Sequence, residues 1–229
     1  QPASHYGLAL ILGGAEGTLW QITGTYASMA RTLNDYFALP EPERYLRDNF
    51  HELTYQKAPE ISRRSSTADP QVLSAAAIYQ TFSAMLEVHR PEEESSWQMY
   101  ASAKPIAWKT GTSFGFRDAW AVGLTPEYVV GVWAGNADGE GRPNLTGTKA
   151  AAPLLFSIFD QLEGAGKWFK EPKSEMNRIS ICRVSGHRAT QWCEPVDDGY
   201  VTKSGIHSGP CPYHKLVHTT GDRQFRIDR

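Results

Sequence analysis

Four consecutive residues of this sequence have the clearest chemical potential: Lys109, Thr110, Gly111 and Thr112. A lysine supplies a positive charge for an anion, and a threonine hydroxyl can donate a hydrogen bond to the same group. Glycine leaves a strand without a side chain, so a ligand can approach the backbone closely. The combination favours recognition of an anionic group such as a carboxylate. A motif this short also arises by chance, so its meaning depends on the elements around it.

Three strands are predicted around these residues. The segments 106–112, 118–124 and 128–134 are predicted strands, and the short connections between them predict antiparallel neighbours. The second strand opens with Arg117 and Asp118, for which we expect a structural ion pair. The four-residue motif therefore lies at the end of one strand, close to the start of the next.

Three helices are predicted on either side of the strands in the sequence. The first covers about 18–34, with an apolar stripe and a capping box that starts at Thr18. The second begins at Asp69 and Pro70, an N-cap residue followed by proline in the first turn. The third covers 150–162. Strands in a block between helices indicate an α+β fold.

The composition indicates an ordinary globular protein. Of the 229 residues, 41% are hydrophobic and 21% charged, which excludes a disordered chain. A net charge of -2 gives no reason to expect nucleic-acid binding. No apolar run approaches the roughly 20 residues of a membrane helix, and the first residues do not form a signal peptide.

The surroundings of the motif match a known pattern. Between Trp108 and Asn136 the sequence contains KTGT, RDAW, VGLTP and YVVGVWAGN in that order. This run resembles the transpeptidase domain of bifunctional (class A) penicillin-binding proteins of the 1C type. Four further segments resemble the same family: 6–34, 150–162, 182–186 and 211–214.

The resemblance implies a fold and a division into domains. The fold is α+β, an antiparallel sheet packed with helices as in part of a penicillin-binding transpeptidase or serine β-lactamase-like fold, followed by a small β-rich, cysteine-containing tail. Residues 1–165 are expected to be the C-terminal part of the transpeptidase domain and 166–178 a linker. Residues 179–229 are expected to start a C-terminal β-rich module that is truncated here.

The resemblance also implies a reaction and site residues. The parent enzyme would cross-link peptidoglycan stem peptides as a D,D-transpeptidase, through an acyl-serine intermediate, and would bind penicillins. Lys109, Thr110 and Gly111 would bind the substrate carboxylate, and the backbone N–H of Thr112 would stabilise the oxyanion. No cofactor is implied. The partners are stem peptides, β-lactams and other cell-wall synthesis proteins.

The sequence departs from the family in one respect. The family's nucleophile is a serine in Ser-x-x-Lys, and no serine here has lysine at the third following position; the Ser-x-Asn motif is missing too. We therefore expect a fragment that is inactive alone. The upstream part would hold the nucleophile, a glycosyltransferase domain and a membrane anchor, placing the protein in the periplasm at the outer face of the bacterial inner membrane.

Two other functions fit the sequence. One is a D,D-carboxypeptidase or β-lactamase, in which water resolves the acyl-enzyme; the cysteine-bearing tail after the last helix argues against so compact a hydrolase. The other is a non-catalytic module that binds cell-wall peptides or partner proteins, and the missing nucleophile favours it.

The three cysteines leave several interpretations open. Cys182, Cys193 and Cys211 could join His214 in a zinc site, although intervals of ten and seventeen residues between them exceed those of short zinc knuckles. An exported location favours a disulfide with one thiol left over. Free buried cysteines are the third possibility.

Overall fold

The computed structural model describes residues 3–41, 44–45, 50, 53–55, 72–90, 104–164, 166–222, 224 and 226–227. The chain divides into two compact units, Gln1–Glu171 and Pro172–Arg229. The helices are α1 (Ala3–Tyr6), α2 (Leu19–Ala38), α3 (Ala75–Leu86) and α4 (Ala152–Gln161). The strands are β1 (Ala107–Thr112), β2 (Asp118–Leu124), β3 (Val129–Gly135), β4 (Met176–Cys182) and β5 (Val196–Thr202). Tight helical turns cover Gly7–Leu12, Phe114–Phe116, Gly147–Ala151, Lys173–Glu175 and Ser204–His207.

The first unit is built on a three-stranded antiparallel sheet in the order β1-β2-β3. Its register pairs Lys109 with Val122, and Val122 in turn with Gly131. Among the described residues β1 pairs with β2 alone, so its other edge carries no strand. All three strands agree with the predicted segments to within one residue. The predicted α+β class, with antiparallel sheets against helices, is confirmed.

Helices cover both faces of this sheet. Buried residues of α2 and α3 pack with Ala107 and Leu124 on one face, and those of α4 pack with Trp108 and Ala121 on the other. Glycine lets α4 approach the sheet closely, because a Cβ on Gly123 would lie 2.9 Å from a Leu155 methyl carbon. The sheet is thus the middle layer of the unit, and its strands are held rigidly over most of their length.

The start of α2 agrees with the predicted capping box. The Thr18 hydroxyl accepts a hydrogen bond from the backbone N–H of Gln21 at 3.2 Å, and the Gln21 side chain accepts from the N–H of Thr18 at 3.1 Å. The helix continues to Ala38, beyond the predicted end at residue 34. Leu33 and Tyr36, both buried, extend the apolar stripe through this last turn.

The second predicted helix corresponds to α3, which starts only after residue 74. Helix α3 begins at Ala75, and the hydroxyl of Ser74 caps it by accepting from the N–H of Ala77 at 3.1 Å. Residues 72–74 precede the helix in a bend. Asp69 and Pro70, the predicted start, lie outside the described residues. The serine hydroxyl satisfies an N–H at the helix end, which fixes the true first turn.

The third helix starts earlier than predicted, with a wide turn. Gly147–Ala151 forms one turn of π-helix before α4, and the Thr146 hydroxyl accepts from the N–H of Lys149 at 3.3 Å. At the other end, the ammonium of Lys104 donates to the carbonyl oxygens of Phe159 at 2.6 Å and Leu162 at 2.5 Å. The Phe159 carbonyl also accepts from the N–H of Leu162 at 3.2 Å, and the ammonium adds a charged donor at this C-terminal end, so the lysine caps the helix.

The ion pair expected between Arg117 and Asp118 is not formed. The Asp118 carboxylate accepts a hydrogen bond from the indole N–H of Trp133 at 2.9 Å instead. Trp133 lies on β3, where the register places it diagonally across from Asp118. The aspartate therefore ties β2 to β3.

The second unit is a small hairpin with loops around it. Strands β4 and β5 are antiparallel. Their register pairs Met176 with Thr202 at one end and Cys182 with Val196 at the other. Exposed ion pairs join the strands, with Arg178 and Asp198 at 2.5 Å and Arg183 and Asp197 at 2.5 Å. Within the described parts of the chain, no helix is both long and apolar enough to span a bilayer.

Candidate functional site

The strand β1 presents the Lys-Thr-Gly-Thr motif on an open edge. Lys109, Gly111 and Thr112 are exposed, and Thr110 is half-buried. Side chains alternate along a strand, so Lys109 lies on the sheet face covered by α2 and α3, and both threonines lie on the α4 face. The structure thus brings all four predicted site residues to one accessible strand.

The hydrogen-bond pattern decides which backbone groups of β1 point outward. The N–H of Ser113 donates to the carbonyl of Asp118 at 3.0 Å, which makes this a hydrogen-bonded pair of the β1–β2 ladder. In an antiparallel pair such residues alternate with residues whose backbone groups point away from the partner strand. The N–H of Thr112 therefore points to the open edge, as does the backbone of Thr110.

The lysine side chain confirms this geometry. The ammonium of Lys109 donates to the carbonyl oxygen of Thr110 at 2.7 Å. That carbonyl is available because it does not face β2. One strand edge therefore carries both the cation of Lys109 and the outward N–H of Thr112, three residues further along. A ligand that extends along this edge could meet both groups.

The threonine side chains are held from the other side of the strand. The Thr112 hydroxyl accepts a hydrogen bond from the N–H of Gly147 at 3.0 Å. A Cβ on Gly147 would lie 2.5 Å from the carbonyl oxygen of Trp120 and 2.8 Å from the Cβ of Thr110, so only glycine fits here. Sequence reasoning missed Gly147, because it lies in a Gly/Asn/Pro-rich loop 35 residues from its partner.

The turn after β1 fixes the end of the motif. The hydroxyl of Ser113 accepts from the N–H of Asp118 at 2.8 Å, in addition to the backbone bond between these residues. Between them Gly115 and Phe116 adopt left-handed conformations, with φ of 75° and 57°. Phe114 at the tip is almost fully exposed. The closed turn holds Thr112 at a defined place on the edge.

A second cluster of chemical groups lies in the second unit. The ligand atoms of Cys182, Cys193, Cys211 and His214 all lie within 4.8 Å of one another. The three cysteines are buried, and no disulfide joins them in the structure. The four residues considered as a zinc site from the sequence are thus brought together.

Hydrogen bonds at this cluster favour ionised sulfur. The Ser185 hydroxyl donates to the sulfur of Cys211 at 3.2 Å, and this bond is the largest cause that lowers the pKa of Cys211 to about 5. Ser185 likewise lowers the pKa of Cys182. Hydrogen bonding to Cys211 raises the pKa of His214. Thiolates are the form in which cysteine binds metals.

Comparison with known proteins gives three significant relatives. Penicillin-binding protein 1C of Escherichia coli K12 is 32% identical over 155 residues, which are 66% of this chain and 16% of the relative. Penicillin-binding protein 1A of Clostridium perfringens is 28% identical over 50% of this chain and 14% of its own. Penicillin-binding protein 1A of Rickettsia prowazekii is 26% identical over 78% of this chain and 24% of its own.

These matches agree with the resemblance in the sequence, although no family model matches the chain. The chain spans a quarter or less of the length of each of these relatives. Both the 1C and the 1A types are represented. The three relatives therefore support assignment of the chain to part of the transpeptidase region of class A penicillin-binding proteins.

Proposed function

We propose that this chain carries the substrate-binding strand of a peptidoglycan D,D-transpeptidase. The observation that carries the proposal is the open edge of β1, where the Lys109 cation and the outward N–H of Thr112 lie on one accessible strand. A stem peptide that ends in D-alanine offers a carboxylate for the first group and a reacting carbonyl for the second. The similarity to penicillin-binding proteins supports the same substrate class.

Each residue of the motif has a role in this proposal. Lys109 and the Thr110 hydroxyl bind the terminal carboxylate of the substrate or of a penicillin. Gly111 lets the acyl group lie against the strand. The N–H of Thr112 stabilises the negative oxygen that develops when the carbonyl is attacked. Lys109 must then release the Thr110 carbonyl, which it contacts at 2.7 Å.

The covalent step uses a serine that the 229 residues do not present in a Ser-x-x-Lys motif. In the proposed reaction that serine attacks the carbonyl of the penultimate residue, and the terminal D-alanine leaves with the proton. An amine of a neighbouring stem peptide then displaces the serine and forms the cross-link. The reaction would take place on the periplasmic side of the inner membrane, in a protein that also carries a glycosyltransferase domain.

The test is covalent labelling with a fluorescent penicillin. We expect the protein made from its complete reading frame to form a stable adduct, and the 229-residue chain alone to form none. Rapid release of hydrolysed penicillin would instead favour a carboxypeptidase or β-lactamase. If the complete protein bound no penicillin covalently, the transpeptidase proposal would be wrong, and a non-catalytic binding module would be the better account.

A further inference from the structure

The cysteine cluster of the second unit has the dimensions of a zinc site. The sulfur atoms of Cys182 and Cys211 lie 3.3 and 3.4 Å from Nδ1 of His214. Zinc binds sulfur at about 2.3 Å and imidazole nitrogen at about 2.0 Å, so tetrahedral ligands lie about 3.5–3.8 Å apart. The four ligand atoms, all within 4.8 Å of one another, surround a point that one metal ion could occupy.

Hydrogen-bond donors are directed at two of the sulfur atoms. The Ser185 hydroxyl donates to the sulfur of Cys211 at 3.2 Å. The sulfur of Cys193 accepts from the N–H of Thr190 at 3.3 Å. Such donors stabilise negative sulfur that is shared with a cation. Donors thus surround part of the cluster, at the sulfur atoms of Cys193 and Cys211.

The chain around the cluster is fixed by backbone hydrogen bonds. The N–H of Cys182 donates to the carbonyl of His187 at 2.8 Å, which closes a tight turn at the end of β4. The N–H of Cys211 donates to the carbonyl of Arg188 at 2.8 Å. Two separate parts of the sequence are thus locked together where their cysteines meet, so the arrangement is preorganised.

The second unit has little else to form a core. Its hydrophobic cluster of buried residues, among those the structure describes, consists of the three cysteines, with Ala189 packed against them. Small domains that lack an adequate apolar core are usually stabilised by disulfides or a metal. No disulfide is formed here. The cluster is therefore at the position where this unit requires a cross-link.

We propose that Cys182, Cys193, Cys211 and His214 bind one Zn²⁺ ion, which holds the second unit folded. Thiolate and imidazole ligands in a tetrahedral set suit zinc better than calcium or magnesium. Four protein ligands leave no position for water or substrate, so the site is structural rather than catalytic. The inference is independent of the transpeptidase proposal, because it concerns a different unit and different residues.

The first experiment measures metal in the complete 229-residue chain, purified with reductant and without added chelator. We expect about one zinc per chain by elemental analysis. Replacement by Co²⁺ should give the intense visible bands of tetrahedral cobalt and a thiolate-to-cobalt charge-transfer band in the near ultraviolet. Because this test uses the wild-type chain, its outcome does not depend on whether a variant folds. Octahedral cobalt, or no uptake, would overturn the proposal.

Variants then identify the ligands. Cys211→Ser and His214→Ala should each lower zinc affinity by at least tenfold in a competition with a coloured chelator. His207→Ala removes an exposed histidine of the same unit and should retain wild-type zinc content. Counting free thiols under denaturing conditions tests the alternative, a disulfide. A disulfide among the three cysteines in the protein isolated from cells, together with no bound zinc, would contradict the site.

Discussion

In the proposed site Thr112 acts through its backbone, whereas its side chain makes a separate contact. The N–H points to the open edge of the sheet, where a reacting oxygen could accept from it. The hydroxyl points to the other side and accepts from Gly147 at 3.0 Å. Because the N–H and the hydroxyl face different surroundings, a pair of substitutions can separate their effects.

Thr112→Pro should therefore remove the proposed oxyanion donor, together with the hydroxyl that accepts from Gly147. Proline lacks the N–H but is tolerated on a strand edge where that N–H faces outward. We expect acylation of the complete protein by a fluorescent penicillin to be roughly 100- to 1,000-fold slower, the usual effect of losing one oxyanion donor. The acylation rate is measured by stopping the labelling reaction at successive times and reading the fluorescence of the protein on a gel.

Thr112→Val is the matched control for that variant. Valine keeps the N–H and the shape of the side chain but loses the bond to Gly147. We expect its acylation rate to stay within about tenfold of wild type. If valine and proline slowed the reaction equally, the hydroxyl or the fold would be responsible, and the role given to the backbone would be wrong.

Gly147 is a second residue at which a small change should have a large effect. The added methyl group of Gly147→Ala would meet the carbonyl oxygens of Trp120 and Gly111 at 2.5 and 2.6 Å, and backbone atoms cannot easily move. We expect a loss of about 1–3 kcal/mol in the free energy of unfolding, measured with urea. Gly166→Ala adds a methyl group in open space and should change stability little; equal losses would refute the packing argument.

The elements themselves follow closely from the sequence where local signals are strong. The apolar run in 118–124 and the capping box at Thr18 predicted β2 and the start of α2 correctly. Helix boundaries that depend on a distant contact were less predictable. The wide turn at Gly147–Ala151 contacts β1, which lies far away in sequence, and no local pattern reports that contact.

Lys104 illustrates such a contact between elements. Its ammonium caps the C-terminus of α4 through two carbonyl oxygens, 55 and 58 residues further along the chain. Lys104→Met keeps the aliphatic stem but removes both bonds and the favourable charge at the helix end. We expect a loss of about 1–2 kcal/mol in the free energy of unfolding. Lys167→Met, at an exposed position of the same unit, should be neutral; an equal loss there would contradict the cap.

At the scale of the whole molecule, the sequence predicted the grouping of the β1 site residues better than that of the cysteine cluster. The Lys-Thr-Gly-Thr motif is continuous, so a strand prediction was enough to place its residues together. The cysteines are separated by intervals of ten and seventeen residues, and only the hairpin of β4 and β5 with its loops brings them together. These intervals match no short zinc knuckle, so no local pattern marked the site.

Metal removal should therefore affect one unit and spare the other. With a strong zinc chelator under reducing conditions, we expect protease cleavage within Pro172–Arg229 to become at least tenfold faster, while Gln1–Glu171 keeps its rate. Mass spectrometry of the fragments over time measures both. Cys211→Ser should already be cleaved quickly and respond little to the chelator. A uniform response of both units would contradict a local structural site.

The most direct test of the transpeptidase account is the second-order rate of acylation of the complete protein by a penicillin, with Lys109→Met compared against Lys167→Met. A charge-assisted hydrogen bond to the carboxylate contributes about 1.5–3 kcal/mol, so the account predicts acylation roughly 10- to 100-fold slower for Lys109→Met. Lys167→Met should match wild type. Unchanged acylation in Lys109→Met would contradict the claim that the open edge of β1 binds the substrate.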